Sequence, residues 1–147
     1  MKNIIYLDFD GVLHPACPTE TNQFCALPYF ESVIEPFVKE KNIKIIISSS
    51  WRMYYGIENL IDIFKNDIIK KSIIGTTPMI KHINNKYYRS EEIEASIEEI
   101  RPDNYIIIDD AKDAIEKKYW NKCVITNAKK GFDYKAKQKF IEIASFK

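Results

Sequence analysis

A chain of 147 residues and 17.3 kDa has the length of one domain, which excludes an eightfold barrel, a large lid domain or a tandem architecture. Hydrophobic residues at 46% and charged residues at 29% make it too apolar for disorder. The formal charge of +1 gives no global electrostatic case for a nucleic-acid partner.

In chain order, the first element is an apolar run, Asn3–Leu7, of strand length. An irregular stretch follows, His14–Pro28, with Pro15, Pro18 and Pro28; it is a candidate flap over a site. Phe30, Val33, Ile34, Phe37 and Val38 read as a helix, which Pro36 is expected to break or restart. Ile43–Ile47 is the second strand. Ile57, Leu60, Ile61 and Phe64 recur at helical spacing, and Ser72–Ile74 is a weak, edge-like strand. Ile93, Ile97 and Ile100 mark a further helix, with Glu91, Glu92, Glu94, Glu98 and Glu99 on its remaining face. Tyr105–Ile108 is the third strong strand, and Cys123–Thr126 a second weak one. Ala136, Phe140, Ile143 and Ala144 close on a last helix.

None of the three strong strands alternates apolar with polar, as fits strands buried on both faces of a parallel sheet; isoleucine, at 26 residues, supplies much of that core. The alternation of strands and helices predicts a single α/β domain over residues 1–147: a Rossmann-like, three-layer fold with a mainly parallel central sheet.

Charge is uneven along this chain. Residues 111–147 carry ten lysines and four acids, which reads either as solvated helix surface or as a basic face for a polyanion. Three cysteines, Cys17, Cys25 and Cys123, show neither disulfide nor zinc spacing, and Cys17 and Cys25 read as buried or incidental. The N-terminal apolar run is broken by Asp8, and no stretch reaches the length of a membrane span, so a cytoplasmic, membrane-free protein is expected.

In an open α/β sheet, ligands bind beyond the carboxyl ends of the strands. There the chain places Asp8-Phe9-Asp10-Gly11, then Ser48-Ser49-Ser50-Trp51-Arg52, then Asp109-Asp110. Five of the nine aspartates fall in the first and last clusters, with Asp113 counted and read as a cap of the following helix. Crowded carboxylates repel unless a cation intervenes, and an all-oxygen set favours Mg²⁺. Asp8 and Asp10 would point the same way if the strand ran through them, and Gly11 permits a tight turn. Two of only three arginines, Arg52 and Arg89, lie in these segments, where a planar fork matches phosphate oxygens; Arg52 also reads as a surface residue beside a core Trp51. Ser90 reads as the N-cap of the helix that Arg89 precedes. His14 and His82 have no partners at metal or triad spacing. Thr76, Thr77 and Pro78 form a turn, and Tyr87 and Tyr88 either pack or stack on a base.

Tyr6-Leu-Asp8-Phe-Asp10-Gly11-Val-Leu13 resembles the first motif of the haloacid dehalogenase-like (HAD) phosphohydrolases. The strand ending in Ser48-Ser49 resembles their second motif, Arg89 stands in the place of the basic third, and Ile106-Ile-Ile-Asp109-Asp110 resembles the fourth. Ser-Ser-Trp51-Arg52, Gly75-Thr-Thr-Pro78, Arg89-Ser-Glu-Glu-Ile93 and Gly131-Phe132 are similar to the HAD domains of Swiss army knife RNA repair proteins.

The resemblance covers residue 3 to about 133. It implies little or no cap domain, an aspartyl-phosphate on Asp8, and Asp10 as general acid and base. It further implies a phosphate-binding hydroxyl from Ser48 or Ser49, charge balance from Arg89, and Mg²⁺ held by Asp8, Asp110, adjacent Asp109 and the Asp10 backbone carbonyl. Arg52 is a further substrate-binding candidate. The implied substrate is a phosphate monoester, with RNA or DNA ends as partners. A small-molecule or nucleotide phosphatase closed by the flap, and a phosphate-binding regulatory module without turnover, are the alternatives. A receiver-type domain would need a lysine where the chain offers Thr126-Asn127.

Overall fold

Five strands pair in one parallel sheet in the computed structural model, which describes residues 2–82 and 85–144. They are β1 (Asn3–Leu7), β2 (Ile43–Ile47), β3 (Ile73–Thr76), β4 (Asn104–Asp109) and β5 (Cys123–Ile125), in the order β3-β2-β1-β4-β5. From central β1 the chain builds outward to β2 and β3, then returns to the other side of β1 for β4 and β5. Strand order therefore reverses between β1 and β4, where such sheets bind their ligands.

Both faces of the sheet are covered, which is why its strands read as unbroken apolar runs. Ile5, Leu7, Ile45, Ile47, Ile106 and Ile108 face a layer made by α1 (Leu27–Lys41), α2 (Ile57–Ile63), α3 (Asp67–Ser72) and α5 (Tyr134–Ile143). Ile4, Tyr6, Ile46 and Ile107 face α4 (Tyr88–Ile100) and a 3₁₀ segment, Lys117–Lys122. Tyr6, fully buried, donates its hydroxyl to Ser96 Oγ on α4 at 3.0 Å, so its one polar atom is satisfied.

Several expectations need correction. α1 runs unbroken through Pro36. Pro36 is exposed on the solvent side of the helix, so the Ser32 carbonyl that loses its partner can turn to water. β3 begins at Ile73 rather than Ser72, because Asn66 caps an unforeseen short helix, α3, accepting from the N–H groups of Ile68 and Ile69 and drawing Ser72 into it. Leu27 and Pro28 belong to α1, leaving residues 14–26 as turns pinned by Ala16 N–H to the Ala128 carbonyl and Ala26 N–H to the Leu13 carbonyl. Cys17 and Cys25 are exposed there, whereas Cys123 is buried and its thiol is pushed up to about 12 by burial. Among the described residues, no helix is long and apolar enough to cross a membrane.

Candidate active site

Sheet register assembles the site. Leu7 stands opposite Ile47 on β2 and Ile108 on β4, so the residues that follow, Asp8, Ser48 and Asp109, lie side by side at the carboxyl edge. Backbone hydrogen bonds from Asp8 N to the Ile108 carbonyl (3.0 Å) and from Ser48 N to the Leu7 carbonyl (2.7 Å) hold them in line. Asp110 comes next, and oxygens of Asp8, Asp109 and Asp110 all lie within 4.8 Å of one another. Asp113 stays outside, exposed on a 3₁₀ turn (Lys112–Ala114) whose N-cap is Ala111, so it caps nothing.

Gly11 allows the close approach of Asp110. Its φ of +79° suits glycine, and a Cβ there would meet Asp110 Oδ2 at 2.1 Å. The loop after β5 supports the same turn, with Thr126 Oγ1 donating to the Gly11 carbonyl at 2.6 Å.

Arg89 enters from the second position of α4, whose N-cap is Tyr87 and not Ser90. Ser90 instead bridges, donating to the Tyr87 carbonyl and accepting from Glu116 N–H. The buried Arg89 fork reaches three strand ends at once: Nη1 donates to the Ser48 carbonyl, Nη2 lies 3.9 Å from Asp8 Oδ1, and Nε lies 3.2 Å from Asp109 Oδ2. The Nε–Oδ2 pair lacks hydrogen-bond alignment, so both buried atoms are left without a hydrogen-bond partner. Burial, then the neighbouring Asp109 charge, pushes the Asp8 carboxyl well above the usual range; burial likewise pushes Asp109 up to about 6, against the pull of Arg89. One arginine does not neutralise three clustered acids. Hard oxygen donors, mutual repulsion and the unpartnered Asp109 Oδ2 fit a divalent cation such as Mg²⁺.

The Asp10 carboxylate does not join this cluster. β1 ends at Leu7, and a turn through Gly11 brings His14 back beside Asp10, with Gly11 N–H donating to the His14 carbonyl at 2.9 Å. Asp10 Oδ1 meets His14 Nε2 at 2.7 Å and accepts from Trp51 Nε1 at 3.0 Å. Burial alone would raise this carboxyl, but the His14 and Trp51 hydrogen bonds prevail and hold it below the usual range. Its side chain is 38% exposed, while His14 is wholly buried.

Of the two serines, Ser48 is the one turned to Arg89, its Oγ 3.4 Å from Nη1. Ser49 Oγ accepts from Trp51 N–H at 3.2 Å and caps the turn that aims the indole at Asp10. Arg52 is not brought to the aspartate cluster. Its guanidinium is buried and donates to the carbonyls of Ser49, Thr77 and Pro78 and, at 2.5 Å, to Glu92, so the expected phosphate contact gives way to a strut between β2, β3 and α4. Glu92, placed by the sequence on the helix face away from the isoleucines, is buried between Arg52 and Arg89, with His82 Nε2 3.4 Å away. Thr77 extends the row beside Ser48, its N–H bound to the Ile47 carbonyl and its Oγ1 buried without a partner. A groove of about 440 Å³ leads off Asp110 between Lys86, Tyr88 and Lys112, and Tyr88 is exposed.

The sequence matches the family described as the HAD domain in Swiss Army Knife RNA repair proteins over residues 4–136. The chain belongs to this family. It is a HAD-type domain, of a family that points to phosphohydrolase chemistry in general, and the segments resembling its four motifs meet at one edge of the sheet. No curated protein and no solved structure matches the chain. Sequence reading missed His14, Trp51 and Glu92 as parts of the site; the four-residue spacing of Asp10 and His14 across a glycine was the available signal for the first.

Proposed function

We propose that the protein hydrolyses phosphate monoesters through an aspartyl-phosphate on Asp8, with Mg²⁺ as cofactor, and that its substrates are RNA or DNA ends. The observation that carries this reading is the row of Asp8, Ser48 and Asp109 on adjacent strands, closed by Arg89 and Asp110.

Asp8 attacks phosphorus in line while Asp10 protonates the departing oxygen; Asp10 then takes a proton from the water that opens the aspartyl-phosphate, regenerating Asp8 and releasing phosphate. Ser48 Oγ hydrogen-bonds a phosphoryl oxygen, and Arg89 keeps Asp8 oriented and offsets charge building on the phosphoryl group. Asp8, Asp109, Asp110 and the Asp10 backbone carbonyl would hold Mg²⁺, which would supply further neutralisation of the phosphoryl charge.

Nucleic-acid ends are favoured by the family's own description, the HAD domain in Swiss Army Knife RNA repair proteins. The groove off Asp110 supports the same choice, because it offers an aromatic face, Tyr88, and two lysines, Lys86 and Lys112, to a nucleotide and its phosphate.

Phosphate release from 3′- and 5′-phosphorylated oligonucleotides, nucleotides and sugar phosphates is the test. Release from oligonucleotides with Mg²⁺, none with chelator and none from Asp8→Asn is expected. A preference for sugar phosphates over every oligonucleotide would remove the nucleic-acid assignment, and an active Asp8→Asn would remove the covalent step.

A further inference from the structure

His14 cannot itself meet substrate, because it is wholly buried between the rings of Phe24 and Trp51, with centroids at 4.7 and 5.7 Å. Its hydrogen bonds nevertheless fix its chemistry. Phe24 N–H points at Nδ1 at 3.2 Å, which leaves that nitrogen no room for a proton of its own. Nε2 therefore carries the hydrogen and donates it to Asp10 Oδ1. Trp51 Nε1, which can only donate, meets the same oxygen. Two donors converge on Oδ1 and none of the described hydrogen bonds reaches Oδ2.

Phe24 holds a left-handed backbone, φ 58°, unusual for a bulky residue, and that conformation aims its N–H at the imidazole and its ring at Trp51. The turn after β1, the segment before α1 and the turn after β2 thus converge on the Asp10–His14 pair.

We propose that His14 and Trp51 are positioning residues that occupy Oδ1 of Asp10 and so dedicate Oδ2 to proton transfer. This rests on the phosphatase reading and on Asp10 as its acid–base group. With Oδ1 filled by two N–H groups, a proton on the carboxyl resides on Oδ2. From there it passes to the leaving oxygen as the phosphorus–oxygen bond breaks and the Asp8–phosphorus bond forms. Oδ2 is refilled by the proton of the attacking water as that bond opens. His14 and Trp51 exchange no proton in either step. They fix the carboxyl plane.

The test is the dependence of kcat/KM on the leaving group, since kcat/KM reads only the steps through aspartyl-phosphate formation. p-Nitrophenolate leaves with little need of a proton, whereas a ribose or alkyl alkoxide needs one. His14→Ala is expected to lower kcat/KM for a phosphorylated alcohol by about 10- to 100-fold, part of what a general acid contributes, and for p-nitrophenyl phosphate by less than about threefold. His14→Gln returns an N–H near the Nε2 position and is expected to recover most of the selective loss. Trp51→Phe keeps an aromatic ring without the N–H and carries the same test should His14→Ala fail to fold. Losses equal for the two leaving groups in folded variants, or no loss at all, would overturn the inference while leaving the phosphatase reading intact. A wild-type protein inactive on both esters would overturn both.

Discussion

Arg89 faces three strand ends with one planar group, a geometry that lysine cannot supply. Nη1 serves Ser48, Nη2 faces Asp8 and Nε faces Asp109, all in a buried setting where losing one directed contact is not repaired by water. Arg89→Lys keeps the charge but forfeits at least one charge-assisted hydrogen bond, worth roughly 1.5–3 kcal/mol, so kcat should fall by about 10- to 150-fold. Steady-state kinetics at saturating Mg²⁺ check this; a variant within about twofold of wild type would place Arg89 outside the transition state. Arg52 shows the opposite outcome for the same residue type. Its rarity and position marked it as a phosphate ligand, yet its donors go to three carbonyls and Glu92. Which partner a fork finds depends on which carbonyls and carboxylates the folded chain leaves nearby, and local sequence does not carry that information.

At the scale of elements, the strand ends are placed by helices that must themselves be held. Glu31 on α1 is buried, and its carboxylate accepts from the N–H groups of Lys65 (3.1 Å) and Asn66 (2.6 Å), tying α1 to the junction of α2 and α3. Losing the carboxylate removes the acceptor of both backbone donors and breaks the tie between these helices. Glu31→Ala should therefore lower stability by about 2 kcal/mol and the melting temperature by about 4–8 °C, with kcat of the folded fraction unchanged. Thermal unfolding with parallel activity assays checks both halves. Element identity was legible in the pattern of isoleucines, and β1 and β2 fall where their apolar runs lie. The misplaced boundaries, at Pro36, Ser72 and Ser90, all turned on a tertiary fact: a solvent-facing helix side, a cap from Asn66, and a bridge from Ser90 to Glu116.

Across the whole molecule, folding gathers three acids at one edge, and stability should register the cost. With burial raising Asp109 to about 6, the folded state binds a proton that the unfolded chain has already released. The stabilisation is fully present below the ordinary aspartate range and is lost as pH rises through about 6. In chelator, the stability of wild type should therefore fall relative to Asp109→Asn between pH 4 and pH 7. At pH 7, Mg²⁺ should raise the melting temperature of wild type more than that of Asp109→Asn. Paired melting curves of the two proteins across that pH range, with and without Mg²⁺, are the measurement; parallel curves would mean that Asp109 is ionised throughout.

The sequence by itself determined the parallel α/β fold, the strand-end aspartates and serines, and the order of the motifs, because apolar runs and short polar punctuation are local properties of the chain. Only the tertiary structure decided which of these residues meet. Register between β1, β2 and β4 put Asp8, Ser48 and Asp109 in one row. The turn at Gly11 sent Asp10 to His14 and Trp51 rather than to the other acids. Two aspartates two residues apart thus came to sit in different surroundings, one buried against like charge and one held by N–H donors, since a carboxylate's behaviour is set by what surrounds it and not by its neighbours in sequence.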